Sequence, residues 1–199
     1  LYQVNVGITI PTTVTTDASY SLIIDNEGIV HIWYGRLAIT DDGSASSWFP
    51  DNNGIMYWND GMNDEQEPVI IGETVRFDGT GDGVFDYDFD AYDPNLYGNN
   101  LVSMPSSGID NEGNLYVCYS AITEMGLYDG PTPAYLRDVF LLKSLDGGET
   151  WIGPLNISND PTMEDVYPSM AKTVNDAVHI TYQSDPQPGH SVQTNYTHD

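Results

Sequence analysis

Apolar and polar residues alternate with period two along most of this chain, which is the spacing of half-buried strands rather than helices. Val30, Ile32 and Tyr34 fall on one face of such a segment, and His31 and Trp33 on the other. Leu115, Val117 and Tyr119 alternate in the same way with Tyr116 and Cys118. A third segment sets Val178, Ile180 and Tyr182 against His179 and Thr181. Both faces are fairly apolar, so the pattern predicts strands stacked between neighbouring sheets. In that setting His31 and His179, at equivalent positions, are packing residues rather than catalytic or metal-binding ones. Cys118 reads as a small buried side chain, not a nucleophile, because no general base stands beside it in the sequence.

Each segment closes a hairpin, and the hairpins repeat. Ser21-Leu22-Ile23-Ile24 runs into the turn Asp25-Asn26-Glu27-Gly28, and Ser106-Ser107-Gly108-Ile109 into Asp110-Asn111-Glu112-Gly113. The turn aspartates and the closing Tyr34 and Tyr119 share one offset of 85 positions. Pro168-Ser169-Met170 opens a third copy, with Pro105 to Pro168 and Tyr119 to Tyr182 both 63 apart. Further strands are predicted at Gly54–Trp58 and Pro68–Ile71, around an acidic loop from Asn59 to Glu67, and at Asp138–Lys143 and Thr150–Ile157. About four strands per unit is the make-up of a propeller blade. The expected fold is therefore all-β, a β-propeller of four-stranded antiparallel blades, and only part of one. Two full blades cover 18–75 and 102–158, with flanking strands in 1–16 and 166–196. The stretch 77–100 reads as an acidic insertion, Glu124 to Tyr135 as a loop, and 191–196 as one more strand. A closed ring needs about four blades or more, so the chain looks like a piece of something longer, or one that borrows blades from another chain.

One turn is more specific than the rest. Ser144-Leu145-Asp146-Gly147-Gly148-Glu149-Thr150-Trp151 reads S-x-D-x-G-x-T-W without mismatch. Asp146 can bond its own backbone, the glycines tolerate positive φ, and Ser144 and Thr150 can tie the two sides together. Trp151 offers the return strand an apolar anchor. The string resembles the Asp-box of the sialidase-like (BNR-repeat) β-propellers. The resemblance implies a structural turn between the outer strands of a blade, built on Ser144, Asp146, Gly148, Thr150 and Trp151 and set away from the active face. It also allows a test. Catalytic sialidases clamp a carboxylate with three arginines, carry an Arg-Ile-Pro motif and use a Tyr/Glu nucleophile pair. Here Arg36, Arg76 and Arg137 are the only arginines. None precedes Ile-Pro, and none maps onto the clamp. The stretch from Asp165 to Ala171, running on to Gln183, resembles late propeller blades of large secreted proteins of Bacteroidota that carry a type IX sorting domain. That likeness implies an exported, extracellular or cell-surface protein.

Charge narrows the partners. Thirty Asp and Glu face five Lys and Arg, a net charge of −25. Phosphate binding needs clustered cations, so nucleic acid and anionic membrane surfaces are poor partners. No apolar run approaches the roughly 20 residues of a membrane helix. The acid either solvates the surface or in part binds Ca²⁺. Asp78, Thr80 and Asp82 place oxygens at every second residue, Gly83 stands where such a loop turns, and Asp86 follows in an EF-hand-like register. Phe89 occupies the closing position, so Asp88 or Asp90 would have to complete the set. A structural Ca²⁺ site and a solvated acidic loop both fit this pattern. The functional expectation is a secreted or cell-surface, non-catalytic binding or structural module for glycan or protein. The alternative is part of a sialidase-type glycoside hydrolase whose catalytic residues lie outside this chain.

Overall fold

The computed structural model describes residues 2–5, 8–41, 43, 45–49, 54–63, 65–73, 88, 91–93 and 96–190, with 2–11 and 48 described in backbone course only. These residues form strands and turns and no helix: β1 (Tyr2–Asn5), β2 (Ile8–Pro11), β3 (Thr13–Ile24), β4 (Val30–Asp41), β5 (Ser46–Phe49), β6 (Ile55–Asn59), β7 (Val69–Gly72), β8 (Val102–Asp110), β9 (Leu115–Tyr128), β10 (Ala134–Ser144), β11 (Ile152–Asn156), β12 (Glu164–Met170), β13 (Thr173–Val174) and β14 (Ile180–Asp185). The arrangement is all-β and consistent with part of a β-propeller. Among the described residues no helix is long and apolar enough to cross a membrane.

The first sheet runs β3-β4-β6-β7, with β5 also paired to β4, and the second runs β8-β9-β10-β11. Every step along both runs is antiparallel. A third, two-stranded sheet pairs β12 with β14. The strands expected at 54–58 and 68–71 are β6 and β7. Several boundaries differ from those expected. Residues 2–11 form a hairpin of their own, β1 with β2, and β3 already begins at Thr13. Glu124–Tyr128 is not a loop: it continues β9, where Leu127 and Tyr128 pair with Tyr135 and Ala134. Backbone pairing is satisfied this way without burying polar groups, a gain that the Gly and Pro content of the segment masks. After Met170 the chain leaves its hairpin, and β13 pairs in parallel with β8 through Thr173 and Ile109.

Alternation decides how the sheets stack. The Trp33 face of the first sheet meets Leu115, Val117 and Tyr119 of the second in a core with Ile55, Tyr57, Phe140 and Leu142. The opposite face of the second sheet, with Cys118 and Tyr116, meets Val178 and Ile180 of the third. Burying one such side chain is worth about 1.5–3 kcal/mol, so these two interfaces are the main source of stability. Facing rings add direction: Trp151 stands edge-on to Tyr57 and to Trp33, with centroids 5.2 and 6.2 Å apart. His31 is buried in this packing, with its ring stacked near those of Trp33 and Tyr57 at 6.1 and 6.0 Å, as its position predicts. His179, its equivalent just before β14, is exposed and does not pack as its position predicts.

The leading strands β3, β8 and β12 lie side by side and are joined by a repeated bond. Ser21 Oγ accepts the Ser107 amide at 3.1 Å, and Ser106 Oγ accepts the Met170 amide at 2.9 Å. Ser21 and Ser106 are equivalent in the repeat, as are Ser107 and Met170. Ser21 carries more: its hydroxyl shares a 2.7 Å bond with that of Ser107 and accepts Lys172 Nζ at 2.9 Å. The repeat turns also share one bonding pattern. Asp25 Oδ1 accepts the amides of Glu27 and Ile29, and Asp110 Oδ1 those of Glu112 and Asn114. Removing a buried acceptor leaves its donors unpaired at about 1–3 kcal/mol. Ser21→Ala is therefore expected to lower Tm by about 2–12 °C, on a scale of about 2–4 °C per kcal/mol. Ser169→Ala, at the equivalent but exposed position, should leave Tm within about 1 °C by the same scale. Differential scanning calorimetry of the two variants checks both, and equal shifts would refute the role given to Ser21.

Candidate functional site

Each leading strand is broken at the same place in its repeat to within one residue. Register slips between Thr16 and Tyr20 in β3, between Ser103 and Ser106 in β8, and between Val166 and Ser169 in β12. At each break a residue with a side chain takes positive φ: Ala18 at 70°, Met104 at 58° and Tyr167 at 51°. Such a conformation costs of order 1 kcal/mol or more away from glycine. Its recurrence in three strands is a property of the repeat, and bulges gather where a strand must re-aim its side chains.

The three bulges line one pocket of about 490 Å³. Its walls are Asp17 to Tyr20 from β3, Met104 and Pro105 from β8, Tyr167 and Pro168 from β12, and Tyr97 to Asn99. Asp17 is fixed in place: its Oδ1 accepts the Ser19 amide at 3.0 Å and the Ser19 hydroxyl at 2.6 Å, and its Oδ2 accepts the Asn100 amide at 3.3 Å. The carboxyl lies over Gly35, where a Cβ would come within 2.3 Å of its oxygens. Ser19 Oγ then accepts the Met104 amide at 3.2 Å, linking two bulges. Across the pocket the Tyr97 and Tyr167 rings meet edge to face at 5.7 Å. Tyr20 is 72% exposed and Tyr167 41%, so both aromatic faces are open to a ligand.

Charged groups are buried behind the Tyr97 wall. Arg137 is fully buried, donates from Nη1 to Leu101 O at 3.1 Å and from Nη2 to Asn100 O at 2.9 Å, and sits under the Tyr97 ring at 5.6 Å. Its amide donates to Glu164 Oε2 at 2.6 Å. Burial pushes the Glu164 carboxyl up to about 7, against the pull of Arg137 and of its hydrogen bonds. Burial, with Glu164 adjacent, raises the Tyr97 phenol well above its ordinary range. An activated phenolate needs the opposite shift.

Apart from the repeated prolines Pro105 and Pro168, none of these pocket residues stands out in the sequence pattern. Tyr97 and Asn99 lie in the stretch read as an acidic insertion, yet Leu96, Tyr97 and Asn100 are buried. Leu96 and Tyr97 pack with Ala134 and Val166, far along the chain, so no local pattern marks them. The available signal was Pro105 and Pro168 at equivalent positions. A proline inside a strand marks a bulge or an edge.

The Ser144–Trp151 turn joins β10 to β11, remote from the pocket in sequence and lining. Ser144 Oγ donates to Asp146 Oδ1 at 2.7 Å and accepts the Gly148 amide at 2.8 Å. Thr150 donates its amide and its hydroxyl to Asp146 at 2.9 and 2.5 Å, and these bonds, with that of Ser144, lower Asp146 to about 2. Gly148 has φ of +97° and lies against Tyr57, whose hydroxyl donates to Gly147 O at 3.1 Å. The turn thereby clips the second sheet to the first. Cys118 is buried and its thiol is pushed up to about 12, which makes it inert. Of the residues proposed for Ca²⁺, Asp78, Thr80, Asp82, Asp86 and Asp90 lie outside the described residues, as does the strand expected at 191–196. Asp88 is exposed, and its Oδ1 accepts the Ala91 amide at 3.1 Å.

No family model matches the chain, and no curated protein does. Among solved structures, a crystal structure of a protein of unknown function from Dyadobacter fermentans DSM 18053 is similar with 14% identity and a TM-score of 0.44, over 76% of this chain and 42% of that one. The Hadza microbial sialidase Hz136 shows a weak structural similarity, with 16% identity and a TM-score of 0.38, over 78% of this chain and 29% of the sialidase. The chain therefore spans less than half the length of either.

Glu164 makes stability depend on pH. A carboxyl whose folded pKa is raised is favoured in its neutral form by the fold. Its contribution is fully present below the unfolded value near 4.5 and is lost as pH rises to about 7. The unfolding free energy of the native protein relative to Glu164→Gln, from urea titrations, is expected to fall across that window and level off above it. A difference independent of pH would mean that Glu164 stays ionised when folded.

Proposed function

We propose that this chain is a segment of a secreted or cell-surface β-propeller that works as a non-catalytic binding module, with glycan or protein held in the pocket between the three bulges. The observation that carries this reading is the convergence of three strained leading-strand residues on one open, tyrosine-walled cleft. Two antiparallel four-strand meanders, the repeated turn bonds and the serine-to-amide links support reading the sheets as successive blades. The Ser144–Trp151 turn lies between the third and fourth strands of its sheet, the place an Asp-box would hold. The acidic surface suits an exported protein, and further blades from the same or another chain would cover the open sheet faces. Calcium held by the 78–90 loop belongs to the same proposal as a structural ion.

A second reading is a sialidase-type glycoside hydrolase completed by residues outside this chain. The adjacency of Tyr97 and Glu164 beneath the pocket favours it, since a Tyr/Glu pair is the nucleophile of that chemistry. Two observations weigh against it: burial and the adjacent Glu164 raise the Tyr97 phenol, and the Arg137 guanidinium donates to main-chain carbonyls.

Screening against an oligosaccharide array is expected to return ligands whose affinity drops about tenfold or more in Tyr167→Ala, from loss of one aromatic contact of about 1–2 kcal/mol. The same variant should keep its Tm, because Tyr167 is half exposed. No hydrolysis of a fluorogenic sialoside is expected; turnover that co-purifies with the protein would move the choice to the enzyme reading. Millimolar Ca²⁺ is expected to raise Tm, reversibly with chelator, and an unchanged Tm would remove calcium from the proposal.

A further inference from the structure

The pocket's charge selects among sugars. Asp17, Ser19 and Asn99 supply its polar side chains, and Tyr20, Tyr97 and Tyr167 its rings. No lysine or arginine lines it among the described residues. Of the nearby cations, Arg137 lies behind the Tyr97 ring, where it donates to the Leu101 and Asn100 carbonyls and its charge faces Glu164, and Lys172 donates to Ser21. Arg36 stands on β4, and its charge acts on Tyr34, outside the lining. Glu164, buried behind the same wall, adds no positive charge in either protonation state.

We propose that the pocket takes a neutral, hydroxyl-rich sugar residue and discriminates against a carboxylated one. This rests on the reading of the pocket as a glycan site. Oδ1 of the Asp17 carboxylate already accepts two bonds from Ser19, but Oδ2 accepts one, from the Asn100 amide, and keeps lone-pair capacity for another. A sugar hydroxyl can donate to it while the apolar face of the ring lies on Tyr97 or Tyr167. A sugar carboxylate in the same position donates nothing and meets a like charge that no lysine or arginine of the lining offsets. At about 6 Å and an effective dielectric constant of about 20, that repulsion is large enough to give tenfold discrimination or more. Asp17 is well placed for this role because Ser19 and Asn100 hold its carboxyl in one orientation.

The test is a pair of titrations by isothermal calorimetry, with a neutral oligosaccharide and the same oligosaccharide capped by sialic acid. The neutral sugar is expected to bind at least about tenfold more tightly. Asp17→Asn, which keeps the shape, should narrow that ratio severalfold. Should the variant fail to fold, raising salt from low to about 0.5 M with the native protein should narrow the ratio in the same way, because screening weakens the repulsion. Equal or tighter binding of the sialylated sugar overturns the discrimination and leaves the glycan site standing. A ratio unaffected by Asp17→Asn and by salt overturns the role of Asp17. Binding of neither sugar, nor of any sugar on the array, overturns the glycan site itself.

Discussion

The hydroxyl of Ser21 is the point on which the geometry of this molecule turns. It lies in β3, bonds the amide and hydroxyl of Ser107 in β8, and accepts the ammonium of Lys172 from the segment between β12 and β13. Ser106 repeats the amide link from β8 to β12. Hydrophobic burial presses the sheets together, but it is tolerant of sliding. A hydrogen bond of about 3 Å is not. The serine links therefore set the register of the leading strands, and that register brings three bulges to one level.

From this alignment the pocket follows. Ala18, Met104 and Tyr167 each carry the local cost of positive φ, and the surrounding ladders hold them there. The bulges turn polar and aromatic side chains toward a common space that regular strands would have left as flat sheet. Beneath it the Arg137 and Glu164 pair is costly to bury. The cost is offset by carbonyl acceptors for the guanidinium and by a carboxyl shifted toward its neutral form. The pair supports the wall from which Tyr97 faces the cleft, which couples the stability of the floor to pH.

The far end of the sheets is held by different means. Tyr57, Trp33 and Trp151 interlock by ring geometry, and Asp146 gathers the amide and hydroxyl of Thr150 and the hydroxyl of Ser144 into a rigid turn. The pocket and the brace are thus separated along the strands. A sequence motif can be specific for the brace while carrying no information on the ligand.

Strand alternation, the repeat turns at Asp25 and Asp110, and the Ser144–Trp151 turn were all legible in the sequence, because each rests on interactions within a few residues. The two faces of β4 and β9 follow from alternation alone, since period two needs no knowledge of the partner. The pocket does not. Asp17, Asn99 and Tyr97 sit in stretches without periodicity, and Arg137 and Glu164 look like ordinary surface charges in so acidic a chain. What unites them is contact between residues from about 30 to over 80 positions apart, through Asn100 with Asp17 and Arg137 with Glu164. Local composition determined that the chain would be built of stacked hairpins. Only the tertiary register of the leading strands decided that three of those hairpins would share a cleft, because hydrogen bonds between sheets carry no signature in the sequence of either strand alone.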